Sequence, residues 1–140
     1  MPPLSRLYIR AAFVNLLAGF TIGALLLAHK GVFIHPALWG WLPAHIELLL
    51  IGWIVQFIMG TAFWIAPRFW KAPRRGNETS AQAALLLINA GVWLVVLWSL
   101  FGGRIWMLAS GRLLEVGAAI AFSLHLWQRV VPRNYQPPSA

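Results

Sequence analysis

Four long runs of apolar residues divide the chain, and short stretches rich in proline, glycine or charged residues separate them. The runs cover about residues 7–29, 41–66, 81–101 and 105–131. Each run exceeds the roughly 20 residues that a helix needs to cross about 30 Å of hydrocarbon. Because a helix satisfies its backbone polar groups within one segment, each run is predicted to be a membrane-spanning helix. The expected fold is an all-α, integral membrane four-helix bundle.

Local signals mark the ends of these helices. Pro36 lies in the first connection, Pro67 ends the second helix, and Gly102-Gly103 predicts a tight turn before the fourth. Residues 1–131 are therefore predicted to form a single transmembrane domain. Residues 132–140 are predicted to form a flexible cytoplasmic tail.

The composition supports a membrane location. The 140 residues are 60% hydrophobic and only 10% charged, and a soluble domain of this length does not hide so much apolar surface. Nine tryptophans fit the same interpretation, because indole rings favour the headgroup region. The chain contains no cysteine, which excludes disulfides, iron–sulfur clusters and c-type haem attachment within it.

The basic residues lie between the apolar runs, so the net charge of +8 indicates membrane topology and not a nucleic-acid partner. Cytoplasmic loops carry an excess of Lys and Arg. The more basic side is therefore predicted to be cytoplasmic, with both termini inside, in the cell inner (cytoplasmic) membrane. Eight basic residues fall on that side and three on the other: Arg6, Arg10, Arg68, Lys71, Arg74, Arg75, Arg129 and Arg133, against Lys30, Arg104 and Arg112.

The second run contains three polar residues, His45, Glu47 and Gln56, where lipid tolerates few. Polar groups inside a span are costly and often functional. At about 100° per residue, Gly52 falls on the same helix face as His45. A histidine on a glycine-bearing face leaves room for a flat cofactor, and haem b is the one we expect. In the alternative interpretation the glycines permit helix packing, and the imidazole bonds a neighbouring carbonyl.

His29 ends the first run at a predicted depth similar to that of His45, because a short connection makes the two helices antiparallel neighbours. The two imidazoles are predicted to be axial ligands of a six-coordinate haem b near the outer surface. Alternatively, His29 is an interfacial residue beside Lys30. His125 lies about 20 Å from His45 in depth at 1.5 Å per residue, so it is expected to bind only a second iron or one shared with another subunit. His35, before a proline, is expected to be solvated.

Charged side chains inside the runs have two possible roles. Arg112 and Glu115 are spaced to pair along one helix face, which lowers the cost of placing both near lipid. Alternatively, Arg112 or Arg104, both toward the outer side, would bond haem propionates. Glu47 is expected to contact Lys30 or Arg104, or to take part in proton transfer, and the sequence does not separate these roles.

The pattern His45-x-Glu-Leu-Leu-Leu-x-Gly52-Trp53, followed by Gln56, Gly60 and Ala66-Pro67-Arg68, resembles a helix of the haem-copper oxidase and nitric-oxide reductase subunit I superfamily. The chain is most similar to short, four-helix, oxidase-subunit-I-like membrane proteins. The resemblance covers about 25 residues well and the remainder loosely. In larger relatives a comparable helix supplies a haem ligand, which here corresponds to His45 alone.

The chain also departs from that superfamily. Complete catalytic subunits have many more helices and further histidines for a second haem and copper, whereas this chain has four histidines in all. We therefore do not expect it to reduce oxygen or nitric oxide on its own. The resemblance implies haem binding and electron transfer.

Two functional hypotheses follow, and they differ in whether the chain binds a cofactor. The first is a haem b-binding membrane cytochrome that transfers electrons alone, as a homo-oligomer, or within a respiratory complex. The alternative is a cofactor-free structural or assembly subunit of a membrane complex. A small transporter or channel ranks below both, because the polar residues are too few and scattered to predict a polar stripe.

Overall fold

The computed structural model describes residues 1–69 and 73–130, and four long helices account for most of them. They are α1 (Pro3–Gly31), α2 (Pro36–Ile65), α3 (Thr79–Phe101) and α4 (Ile105–Val130). No strand occurs in this part of the chain. All four helices are long and apolar enough to cross a membrane. The predicted fold class, an all-α four-helix membrane protein, is confirmed.

Helices α1 and α2 begin several residues earlier than the apolar runs predict, and α3 begins two residues earlier, at Thr79. Helix α1 begins at Pro3 instead of near residue 7, and proline suits a first helical turn because its missing N–H would be unpaired there. Helix α2 opens with a 3₁₀ segment over Pro36–Trp41. Residue 131 and the predicted tail over 132–140 lie outside the described residues.

Helix α2 is not a regular α-helix throughout. A π-helical segment over Leu48–Val55 interrupts it, and Gly52 lies within that segment. The Gly52 carbonyl accepts a hydrogen bond of 3.0 Å from the side-chain amide of Asn15 on α1. The widened turn therefore takes part in the contact between α1 and α2.

The helices pack in the order of the chain. Helix α1 lies along α2, α2 contacts α3, and α3 forms its most extensive contact with α4. The α3–α4 contact depends on glycine, because a Cβ added to Gly91 would lie 2.8 Å from the carbonyl oxygen of Gly111. The turn between these helices uses Gly102, whose φ of 65° is left-handed.

Long-range hydrogen bonds show which helix ends lie together. Ser5 at the start of α1 bonds Gly60 near the end of α2, and Tyr8 bonds Ala81 at the start of α3. His125 near the end of α4 contacts Asn77. The start of α1 and the end of α4 therefore share one end of the bundle, here named the terminal end. The connections after α1 and after α3 lie at the opposite end.

Candidate functional site

His45 lies near the start of α2 and points at α1. Its Nδ1 atom is 2.8 Å from the carbonyl oxygen of Gly19. Since a carbonyl oxygen only accepts hydrogen bonds, Nδ1 carries the proton and donates, and in the neutral ring Nε2 is then the unprotonated nitrogen. Gly23, one turn further along α1, leaves space for the ring, because a Cβ there would lie 2.4 Å from Cε1 of His45.

A small cavity lies beside the His45 ring, between α1 and the start of α2. Its volume is about 190 Å³, whereas ligand sites in proteins typically measure about 300–1,000 Å³. Its walls are mainly apolar, with one lysine among them. The lining residues are Gly23, Leu26, Leu27, Lys30, Trp39, Leu42 and His45.

His29 does not line this cavity. Its Nδ1 accepts a hydrogen bond of 3.0 Å from the backbone N–H of Ile34, which closes the connection after α1. The ring packs against Phe33 and Trp39, with centroid distances of 5.2 and 5.8 Å. His29 is also six residues beyond Gly23, about 9 Å along the helix. The two rings therefore have different hydrogen-bond partners, although both lie beside Trp39, and their pairing about one iron stays a prediction.

The other two histidines lie elsewhere. His125 is buried at the terminal end, where its ring stacks on Phe63 at a centroid distance of 5.2 Å and its Nδ1 is 3.2 Å from the carbonyl oxygen of Asn77. Its Nε2 is buried without a hydrogen-bond partner in the described part of the chain. His35 accepts a hydrogen bond from the backbone N–H of Ala37 and is exposed.

Two residues expected at a haem site have other positions. Gly52 faces Asn15, since a Cβ added to Gly52 would lie 3.0 Å from the Asn15 side chain. Its small size therefore makes room for α1 and not for a porphyrin. Arg104 is exposed just before α4, where its backbone carbonyl accepts a hydrogen bond from Met107.

Arg112 connects two carboxylates. Its Nη1 lies 2.7 Å from Oε2 of Glu115 on the same helix, as the i,i+3 spacing predicts, and 2.7 Å from Oε2 of Glu47 on α2. The guanidinium that was a candidate for binding propionates is thus engaged by protein carboxylates. The partners expected for Glu47 from the sequence were Lys30 and Arg104. Arg112 was not expected, because no local spacing links residues of α2 and α4.

The side chain of Glu115 reaches this ion triad (Glu47, Arg112 and Glu115) by passing over Gly91. A Cβ on Gly91 would lie 2.8 Å from Cγ of Glu115. Glu47 is 3% exposed and the Glu115 side chain 12%, whereas the Arg112 side chain is 50% exposed. The triad therefore consists of one residue on α2 and two on α4, and it lies next to α3. Its arginine is at the edge of the bundle.

Several other polar side chains in the spans bond backbone carbonyls or polar side chains of other parts of the bundle. Arg129 on α4 makes three such bonds at the end of α2, to Phe63, Ala66 and Pro67. Gln56 lies within hydrogen-bonding distance of Asn15 on α1 and Asn89 on α3, at 3.4 Å each. The sequence shows these residues as scattered, and the structure brings them together between helices.

In the described residues, these placements bring one of the predicted haem ligands, His45, to a cavity. One imidazole lines a cavity smaller than ordinary ligand sites, and the second predicted imidazole packs elsewhere. Arg112 is held by carboxylates. Across residues 1–69 and 73–130, no group of three or more His, Cys, Asp or Glu side chains is arranged to hold a metal ion.

Comparison with known proteins adds no relative. No protein-family model, no curated protein and no solved structure matches the chain. The resemblance to the oxidase superfamily therefore depends on the motif around His45 alone, and no family is assigned.

Proposed function

We propose that this protein is a cofactor-free subunit of a larger membrane complex, in which it has a structural or assembly role. The observation that carries the proposal is the close packing of the His45 ring, which fills the space left by Gly23 and borders a cavity of only about 190 Å³. The histidine best suited by sequence to bind iron thus holds α1 against α2.

Other polar side chains support the same interpretation. Ser5, Tyr8 and Asn15 on α1 each donate a hydrogen bond to a backbone carbonyl of α2 or α3. Within a membrane, where helices gain little from the hydrophobic effect between them, such bonds and close packing hold a bundle together. The polar chemistry in these spans therefore serves helix association.

Helix α4 offers the surface on which a partner would pack. Its side away from α3 is apolar and exposed, and the Arg112 side chain on it is 50% exposed. A charged side chain in a membrane span usually faces protein or water, because exposure to lipid is costly. A membrane helix of another subunit on this side would cover it.

The orientation of the complex follows from charge. The connection between α2 and α3 contains Arg68, Arg74 and Arg75 and lies at the terminal end. By the positive-inside rule this end faces the cytoplasm. We place the protein in the cell inner membrane, with both termini inside.

Site-specific photo-crosslinking in native membranes tests the proposal. A photoreactive amino acid at Val116 on α4, which is 56% exposed, should form an adduct with a protein. The matched control is Leu17 on α1, which is 71% exposed and should react with lipid alone. If neither position yields a protein adduct, the role as a subunit is contradicted. The mass of the adduct distinguishes a second copy of this chain from another protein.

A second candidate function, a haem b cytochrome, is favoured by the unprotonated Nε2 of His45 beside an apolar cavity that also contains Lys30. Because that cavity is small, the haem would have to lie between this chain and a partner. Haem would supply one-electron transfer. A reduced-minus-oxidised spectrum of the intact complex tests this candidate: the haem signal should disappear in His45→Ala and persist in His35→Ala. A signal that His45→Ala leaves unchanged rejects it.

A further inference from the structure

The ion triad contains more negative than positive groups. Glu47 and Glu115 both place Oε2 at 2.7 Å from the same Arg112 nitrogen, so these two oxygens are no more than twice that distance apart. With all three groups ionised, two negative charges face one positive charge. Like charges so close together oppose each other's ionisation.

Burial makes this imbalance more costly. Glu47 is 3% exposed, and the second oxygen, Oε1, of each carboxylate is buried without a hydrogen-bond partner in the described part of the chain. Water therefore does not stabilise the excess charge. An unpaired charge in an apolar interior usually becomes neutral by gaining or losing a proton.

In the described part of the chain, no other charged group on the neighbouring helices balances the triad. Helix α3, which packs against both α2 and α4, contains no charged residue and no histidine. The His45 ring on α2 turns to Gly19 on α1. In the described residues, the ion pairs of Glu47 and Glu115 involve Arg112 alone; the other basic residues at this end of the bundle are His29, Lys30, His35 and Arg104.

We infer that Glu47 and Glu115 hold one proton between them, which makes the ion triad a proton-binding site within the membrane. One carboxyl group is then neutral, and the other is paired with Arg112. The triad lies about 10 Å from the start of α4, seven residues at 1.5 Å each. Arg112, which is half-exposed, connects the triad to the edge of the bundle.

Infrared spectroscopy of the purified full-length protein tests this inference. An ordinary glutamate titrates near pH 4.3, so a protonated carboxyl group at neutral pH is diagnostic. The chain has three acidic residues in all, Glu47, Glu78 and Glu115, which makes the spectrum simple. At neutral pH we expect a C=O band of a protonated carboxyl group, with the intensity of one such group per chain. The band should move to lower frequency in D₂O.

Matched variants assign the band. Glu47→Gln and Glu115→Gln should each abolish it, because one carboxylate then balances one guanidinium. Glu78→Gln, in the connection before α3, should keep it. A wild-type spectrum without the band overturns the inference even if a variant fails to fold, and so does a band that persists in Glu47→Gln and Glu115→Gln. Neither result depends on whether the protein is a cofactor-free subunit.

Discussion

Arg129 of α4 lies over Phe63 of α2, with its guanidinium carbon 5.3 Å from the centre of the ring. The same guanidinium donates hydrogen bonds to the carbonyl oxygens of Phe63, Ala66 and Pro67, at 2.6 to 3.0 Å. The last carbonyls of a helix have no partner within that helix. Arg129 therefore satisfies the end of α2 from a different helix and fastens α4 to it.

Removal of this contact should destabilise the protein. We expect Arg129→Ala to lower the free energy of unfolding by about 2 kcal/mol, because it leaves the buried Phe63 carbonyl and the partly buried carbonyls of Ala66 and Pro67 without this donor. Arg129→Lys should recover part of the loss, since lysine restores the charge but not the geometry of the guanidinium. Thermal unfolding in detergent, followed by circular dichroism, measures both. Arg6→Ala, at an exposed position on α1, is the control. An equal loss of unfolding free energy in Arg6→Ala would contradict the role of Arg129 in fastening α4 to α2.

The contact between Gly23 and His45 should behave as one unit. Gly23→Ala places a methyl group 2.4 Å from the ring, and we expect such overpacking to cost about 1–3 kcal/mol. His45→Ala should cost about 1 kcal/mol, through the lost bond to Gly19. The double variant should cost less than the sum of the two, because the smaller side chain relieves the clash.

Gly31→Ala is the matched control for this double-mutant cycle. An added Cβ at Gly31 meets nothing within 4 Å, so no destabilisation is expected there. Additive effects of Gly23→Ala and His45→Ala on the free energy of unfolding would show that the two residues do not touch.

The α3–α4 contact should depend on Gly91 and not on glycine in general. Gly91→Ala brings a methyl group to 2.8 Å from both Glu115 and the Gly111 carbonyl, and we expect a loss of about 1–3 kcal/mol. Gly117→Ala is the control on the facing helix, since its nearest neighbour would lie at 3.7 Å, an ordinary contact. Chemical unfolding in mixed micelles compares them, and a similar loss for both variants would argue against the close approach at Gly91.

Single cysteines can determine the orientation in the membrane, because the native chain contains none. We expect His35→Cys to react with a membrane-impermeant maleimide in cells whose outer envelope is permeable, and Arg74→Cys to react after lysis alone. The reason is the excess of positive charge at the terminal end. Labelling of Arg74→Cys in intact cells, with protection of His35→Cys, would reverse the orientation.

The fold could be predicted from sequence because run length and hydropathy specify a membrane span without reference to its neighbours. The faces of the helices could not, because these spans are apolar almost all round, and lipid and protein select similar side chains. Gly52 illustrates the limit. The prediction that Gly52 lies on the same face as His45 was correct. The side chain that Gly52 makes room for is Asn15, which belongs to another helix.

The candidate site had the same limitation. Spacing along α4 predicted the pair of Arg112 with Glu115, since both lie on one helix, but it contained no information about Glu47 on α2. The predicted pairing of His29 with His45 was based on the similar depth of the two residues in the membrane. Depth alone does not specify the direction of a side chain, and the backbone N–H of Ile34 turned out to be the partner of His29.

The haem content of the purified protein tests the central claim most directly. The chain should be expressed with ample haem, purified in mild detergent and assayed by absorption and pyridine haemochrome. We expect no Soret band and a haem-to-protein ratio near zero for the chain alone, and no haem signal of the intact complex that His45→Ala abolishes, because the cavity beside the closely packed His45 ring is only about 190 Å³. A Soret band with a fixed haem stoichiometry, abolished by His45→Ala and retained by His35→Ala, would contradict a cofactor-free subunit.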